Sequence, residues 1–444
     1  MRRTFLFPEH RVEKTCEETH DALLFATEEI DSTNKSRSTR PVLTTIAMGF
    51  MMLWPIGTAN SEYMGAAISS MSVSHRLSED SKIVEINIPE VSKEETDIFV
   101  ASAIFGESYE KELVQENKTD LTQKGIYMTS NSIARKDGFL AENLDKLLSA
   151  SGTALVIDVK EHDVFFETTS EIAKELNVQK KKYDLSEVVE EAKSRGIYTI
   201  ARFVAAKDMK LAALRTDTQI RHPETNTSVG DIWVDLSNET VLEYNRQLIR
   251  DVIESGIDEI NLDYIRYPTE YTLEQIGLNG REKTNRVEKF IQMVRDEIDK
   301  SENQPILGIS TYAILGWNYE INLERLGQDV ARFARYVDVI SPMAYPASFE
   351  EGAYYKNEFG RSRMYELVYK TMTGYKEVLG ENAHKLRPWI QGYRVDKKDM
   401  KDQIEAVFDS GSCGFTVWSP SNLYWPLYGV LGEMEVPTNC KKII

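Results

Sequence analysis

The chain has 444 residues, enough for one large barrel plus additional segments. Its 41% hydrophobic and 28% charged content is that of an ordinary globular protein, which excludes a wholly disordered or fibrous chain. A formal net charge of −18 argues against nucleic-acid binding, which needs clustered Lys and Arg, and suits a neutral or basic ligand better.

Residues 1–40 are polar with mixed charges and read as a cytoplasmic tail with few signs of a core. Residues 41–59, PVLTTIAMGFMMLWPIGTA, are uncharged, apolar and about long enough to cross a bilayer as a helix. Lys35, Arg37 and Arg40 lie just before this run, and by the positive-inside rule they keep the N-terminus in the cytoplasm. The run lies too deep for a typical cleaved signal peptide, which favours a transmembrane signal anchor over a long leader cut near Ala59. Pro55 and Gly57 weaken it as a continuous helix. Residues 60–120 are rich in Ser, Glu and Lys and read as a stalk or linker. The expectation is a single-pass cell-membrane protein whose C-terminal domain, residues 121–435, is extracytoplasmic.

From Lys124 onward short β-branched runs alternate with amphipathic stretches, the signature of βα units. Strands are expected at 125–129, 154–159, 198–204, 259–263, 306–311, 337–343, 388–392 and 414–418. Helices are expected between them at 138–149, 185–194, 238–254, 281–300, 323–335, 362–378 and 397–409. Gly196 and Gly256 fall where two of these helices should stop before the next strand. Eight strands with seven intervening helices count out an α/β (β/α)8 TIM barrel. The rival, an open doubly wound sheet, lacks a Gly-rich phosphate loop after any strand.

Three cysteines, Cys16, Cys413 and Cys440, form no CxxC and no Cys/His cluster, so neither a zinc site nor a disulfide framework is expected. Cys413 falls in a predicted strand and reads as a small apolar group rather than half of a Cys413–Cys440 bridge. No HExxH and no GxSxG occurs, which argues against a zinc protease and a serine hydrolase. No predicted strand end carries a histidine with a partner.

In a parallel barrel the C-terminal strand ends assemble the chemistry. The most informative of them is DEINLDYIRYP, 258–268, where Asp263, Tyr264 and Arg266 stand as the fourth strand runs out. A lone carboxylate is costly to bury, so Asp263 is either functional or half of an ion pair with Arg266 or Arg202. The second strand ends in Asp158 and Lys160, and the third carries Arg202 with Lys207 and Asp208 beyond it. The sixth strand leads into Tyr345, the seventh holds Trp389 and Gln391, and the eighth ends at Trp418 with Asn422 and Tyr424 following. Each has a bland role available, Trp389 and Trp418 as barrel plugs and Arg202 as a buried counter-ion. Their convergence suits sugar chemistry: glycosidic cleavage needs two carboxyl groups flanking the bond, and aromatic faces bind sugar rings.

The segments KGIYMTSNSIAR, ALVIDVK, GIYTIARFVAAKD, DIWVDLSN, DEINLDYIRYP, DVISPMAYP, RPWIQGY and GFTVWSPSNLY occur in this order across residues 124–428. Together they resemble a prokaryotic family of glycoside hydrolases long catalogued as a domain of unknown function. It is expected to be a barrel related to the alpha-amylase-like and chitinase-like enzymes. The resemblance implies Asp158, Arg202 and Asp263 as pocket residues, with Tyr345, Gln391 and Trp418 around them. Chitinase-like barrels carry a Glu soon after the fourth-strand Asp, where this chain has Tyr264, Ile265 and Arg266, and many retaining barrels place a carboxylate where it has Gln391. The second acid is therefore open among Asp158, the first choice, and Asp208 or Glu320.

The sequence thus reads as a glycosidase acting on a cell-envelope or extracellular polysaccharide, with Asp263 and Asp158 catalytic. Arg202, Tyr264, Arg266, Tyr345, Trp389, Gln391, Trp418 and Asn422 would bind substrate, with no metal and no cofactor implied. The alternative is a non-catalytic carbohydrate-binding or envelope scaffold protein on the same barrel.

Overall fold

A computed structural model of the chain describes residues 121–135, 138–435, 437–438 and 440. The tail, the apolar run at 41–59 and the stalk expected from the sequence lie outside the described residues. Among the described residues no helix is long and apolar enough to cross a membrane.

Eight strands close into one parallel barrel in chain order. They are β1 (Lys124–Met128), β2 (Ala154–Lys160), β3 (Tyr198–Val204), β4 (Glu259–Asp263), β5 (Ile306–Tyr312), β6 (Val339–Ala344), β7 (Trp389–Gln391) and β8 (Phe415–Trp418). Closure is made by β1 against β8, with Gly125 opposite Thr416. The open doubly wound alternative is thereby excluded.

Seven longer helices form the outer layer: α1 (Phe139–Ser149), α2 (Leu185–Ser194), α3 (Glu239–Glu254), α4 (Gly280–Lys300), α5 (Tyr319–Leu326), α6 (Arg363–Leu379) and α7 (Lys397–Asp409). Their starts are written locally. Asn238 caps α3 by accepting from the Thr240 and Val241 N–H groups, and Asn279 with Glu282 forms a reciprocal capping box on α4. Their buried stripes follow the helical period, as with Val287, Phe290, Ile291 and Val294 on α4. One helix departs from expectation. The predicted 323–335 element is α5 followed by a separate turn, Val330–Phe333. Gly327, at φ +67°, stops α5, and Asp329 caps the new turn through the Arg332 N–H.

Outward strand residues pack under the helices in one large apolar core, whereas the barrel interior is stratified by polarity. Near the N-terminal ends Arg387 pairs with Glu259 at 2.5 Å, both completely buried. Above them the Trp389 indole N–H donates to Ser310 Oγ (2.9 Å), which in turn donates to Asn261 Oδ1 (2.6 Å). The interior is a packed, hydrogen-bonded plug, and the strands' C-terminal ends are left as the floor of a site.

The cysteine expectation is corrected. Cys413 and Cys440 form a disulfide with Cα atoms 5.4 Å apart. Cys413 precedes β8 instead of lying within it, and the returning C-terminal segment brings Cys440 to it. Nothing in the local sequence around Cys413 signals that return.

Candidate active site

Three strand ends converge on one guanidinium. Arg202 of β3 donates from Nε to Asp263 Oδ2 (2.8 Å), with Nη2 also 2.8 Å from that oxygen. From its opposite edge Nη1 donates to Asp158 Oδ1 (2.8 Å) and to Glu161 Oε1 (3.3 Å). Register explains the convergence. Asp158 lies opposite Arg202, and Arg202 lies opposite Asn261, two residues before Asp263 and on the same face of β4. Contacts of this length on both edges of one guanidinium keep the facing carboxyl oxygens within about 8 Å, inside the roughly 5–10 Å span of catalytic carboxyl pairs.

A bulge on β2 sorts its polar residues. The register slips between Asp158 and Lys160, so that Lys160 pairs with Phe203. Asp158 therefore faces the barrel axis with Arg202, and Lys160 turns outward with Phe203. There it donates to Asp208 Oδ2 (2.8 Å) and the Val204 carbonyl (2.9 Å), sealed from solvent. Asp208 also caps the following helix through the Leu211 N–H. It is thereby spent on structure, and Glu320 is exposed in the first turn of α5. Neither alternative second acid is drawn into the Arg202 cluster.

Burial pushes the Asp158 carboxyl up to about 6, opposed by Arg202 and assisted by the negative charge of Glu161. Tyr127 of β1 shares a side-chain hydrogen bond with Asp158, and burial and that carboxylate raise the phenol well above its ordinary range. Burial works against the Arg202 charge, but Asp263 and Asp158 outweigh it and hold the guanidinium firmly protonated. Asp263 Oδ1 accepts from the Tyr264 N–H (2.7 Å), an arrangement set by Tyr264 in the left-handed region at φ +51°.

Aromatic rings stand beside the carboxyls. Trp418 stacks on Tyr345 (centroids 5.7 Å apart, planes at 28°), meets Tyr393 edge-on at 5.3 Å and lies 6.5 Å from Tyr127. The chain brings these four rings together from β1, β6, β7 and β8.

The other residues expected to contact substrate also make contacts within the protein. Trp389 is buried in the interior plug. Gln391 is used up between two loops, accepting from the Ala347 N–H (2.8 Å) and donating to the Tyr393 carbonyl (2.8 Å). It thereby fixes the segments that carry Tyr345 and Tyr393. Asn422 ties the loop after β8 to β1, accepting from the Thr129 N–H (3.0 Å) and donating to the Tyr127 carbonyl (3.1 Å). Arg266 is buried among Trp233, Tyr264 and Tyr312, with its guanidinium 4.3 Å from the Tyr312 ring centroid, and donates to the Tyr267 carbonyl (2.8 Å). Tyr264 is half-buried against Trp233 (centroids 5.9 Å) and belongs to the same aromatic post. Two site residues escaped the sequence reading, Glu161 and Tyr393. Both lie just past strand ends, and only the β2 bulge, which leaves no sequence mark, aims Glu161 at Arg202. Among the described residues no cluster of His, Cys, Asp and Glu has the makings of a metal site.

A closed parallel barrel with paired carboxyls and stacked aromatics at its C-terminal rim is the frame of a glycoside hydrolase. Residues 125–424 match the family described as "Putative glycosyl hydrolase domain", and the chain belongs to that family. Among solved structures it is similar to the glycoside hydrolase domain of PgaB (BpsB) from Bordetella bronchiseptica, with a TM-score of 0.55 at 11% identity over 71% of this chain and 99% of that one. It also matches a beta-galactosidase from Marinomonas ef1 (TM-score 0.49, 12% identity, 72% of this chain and 58% of that one). A third match is a chitinase from Rhizomucor miehei (TM-score 0.43, 14% identity, 70% of this chain and 100% of that one). No curated relative matches the chain.

Proposed function

We propose that this glycosidase cleaves a cell-envelope or extracellular polysaccharide with Asp263 as nucleophile or base and Asp158 as proton donor. The observation that carries the reading is the division of labour around Arg202. Asp263 is held by two guanidinium nitrogens and a backbone N–H, which fix its orientation at the end of β4. Asp158 retains its proton up to about pH 6, as a general acid must. Trp418, Tyr345, Tyr393 and Tyr127 offer ring faces for sugars. The test is a polysaccharide panel with reducing-end detection, in which the unsubstituted chain should release ends from at least one polymer and Asp263→Asn from none.

The second reading, glycan binding without hydrolysis, draws on the tight hold of Arg202 on Asp263. It predicts retention of the same polymer with no release of ends by either protein.

The apolar run at 41–59 and the basic residues before it support a single membrane anchor with the barrel outside the cytoplasm. The Cys413–Cys440 disulfide suits an oxidising compartment. Fractionation should find the full chain in the membrane pellet, and a purely cytosolic chain would end this part of the reading.

A further inference from the structure

We propose that Glu161 governs the proton on Asp158, a positioning residue that sets a negative charge at the rim beside the buried carboxyl and shares its Arg202 donor. The inference rests on the reading of Asp158 as proton donor. Its geometric basis is one shared nitrogen. Arg202 Nη1 donates to Asp158 at 2.8 Å and to Glu161 at 3.3 Å, so two carboxylates divide the donors of a single amino group. Asp263 occupies the other edge of the guanidinium. The access of the three carboxyls also differs: the Glu161 side chain is 36% exposed, against 3% for Asp158 and 9% for Asp263. Glu161 is the member of the cluster that meets water.

Its backbone is fixed for this placement. The Lys160 ammonium donates to the Glu161 carbonyl (3.0 Å), and the Glu161 N–H donates to the Asp163 carbonyl (3.0 Å). The groups facing Asp158 are few. Tyr127 comes from β1, Arg202 from β3, and Asp263 of β4 lies beyond Arg202. Tyr183, ahead of α2, donates its hydroxyl to the Asp158 carbonyl (2.6 Å). Lys160 is turned away toward Asp208. Glu161 therefore works in two ways. Its charge disfavours a second anion beside it, and its share of Nη1 weakens the hold of Arg202 on the Asp158 anion.

The test uses the full chain with 13C-labelled aspartate carboxyls, the Asp158 signal being identified by its loss in Asp158→Asn. Glu161→Gln should lower the Asp158 titration midpoint by about 0.5–1 pH unit, the lower part of the range for a charged neighbour because Glu161 is partly screened by solvent. Glu161→Asp, which keeps the charge, should restore most of the shift. On an active substrate the alkaline limb of kcat should move by the same amount in the same direction. An unchanged midpoint in Glu161→Gln overturns the inference and leaves the donor assignment intact. A midpoint near 4 in the unsubstituted chain overturns both. Normal turnover in Asp158→Asn, with the midpoint still moving in Glu161→Gln, defeats the donor assignment alone.

Discussion

Asp263→Asn separates catalysis from structure, and the geometry sets the size of each effect. The substitution is nearly isosteric, but it exchanges an acceptor for a donor. Asp263 now accepts Arg202 on Oδ2 and the Tyr264 N–H on Oδ1. An asparagine can satisfy only one of these with its oxygen, and its amide must point N–H toward the other donor. One charge-assisted hydrogen bond or one backbone bond is lost whichever way it flips. Arg202 keeps Asp158 and Glu161, so the guanidinium is not stranded. The expected cost is about 2–3 kcal/mol, below the 3–5 typical of orphaning a buried charge. In a barrel of this size that is a fall of roughly 3–5 °C in Tm. Turnover should fall by at least about a thousandfold, as when a nucleophile is removed, with glycan binding retained. Differential scanning fluorimetry, reducing-end release and a pull-down on the same polysaccharide measure the three quantities. Near-normal turnover would refute the assignment of Asp263. A chain that fails to fold would instead identify Asp263 as a structural counter-ion.

Three further outcomes are expected. Asp158 binds its proton more tightly folded than unfolded, 3.8 rising to about 6, so its stabilising contribution is complete below about pH 4 and is lost as pH rises through about 6. Urea denaturation from pH 4 to 7 should therefore show the unsubstituted chain losing about 2 kcal/mol relative to Asp158→Asn, and a constant difference would contradict the raised carboxyl. Trp389→Phe removes the indole donation to Ser310 and should cost about 1–2 kcal/mol while leaving KM unchanged, since Trp389 is part of the interior plug; a large rise in KM would return it to the substrate. Cys413→Ser should destabilise the chain by about 2–4 kcal/mol, and reductant should lower the Tm of the unsubstituted chain but not of the variant.

The strand and helix order was written in the sequence, because a parallel barrel strand buried on both faces must be an apolar run and its helix must be amphipathic. Glu259–Asp263 and Tyr198–Val204 stand where the β-branched runs predict them. Asp158, Arg202 and Asp263 were legible for a related reason. A charged residue at the end of a buried strand needs a partner, and the barrel's topology leaves the strand ends as the meeting place.

What a polar or aromatic side chain does once it arrives there depends on contacts between residues far apart in the chain. Trp389 opens β7 and Trp418 ends β8, so one fills the plug and the other stacks on Tyr345, because a residue's height along the barrel decides between core and rim. The contacts of Arg266 with Tyr312 and Tyr267, and of Gln391 with Ala347 and Tyr393, join residues that no local pattern links. The β2 bulge, a register slip set by pairing with β3, is what turns Asp158 and Lys160 apart and brings Glu161 to Arg202. Composition and periodicity fix which residues are buried and in what order the elements come, because those depend on local pattern. Pairing register and the closing of the ring decide which buried groups meet, and only the tertiary structure contains them.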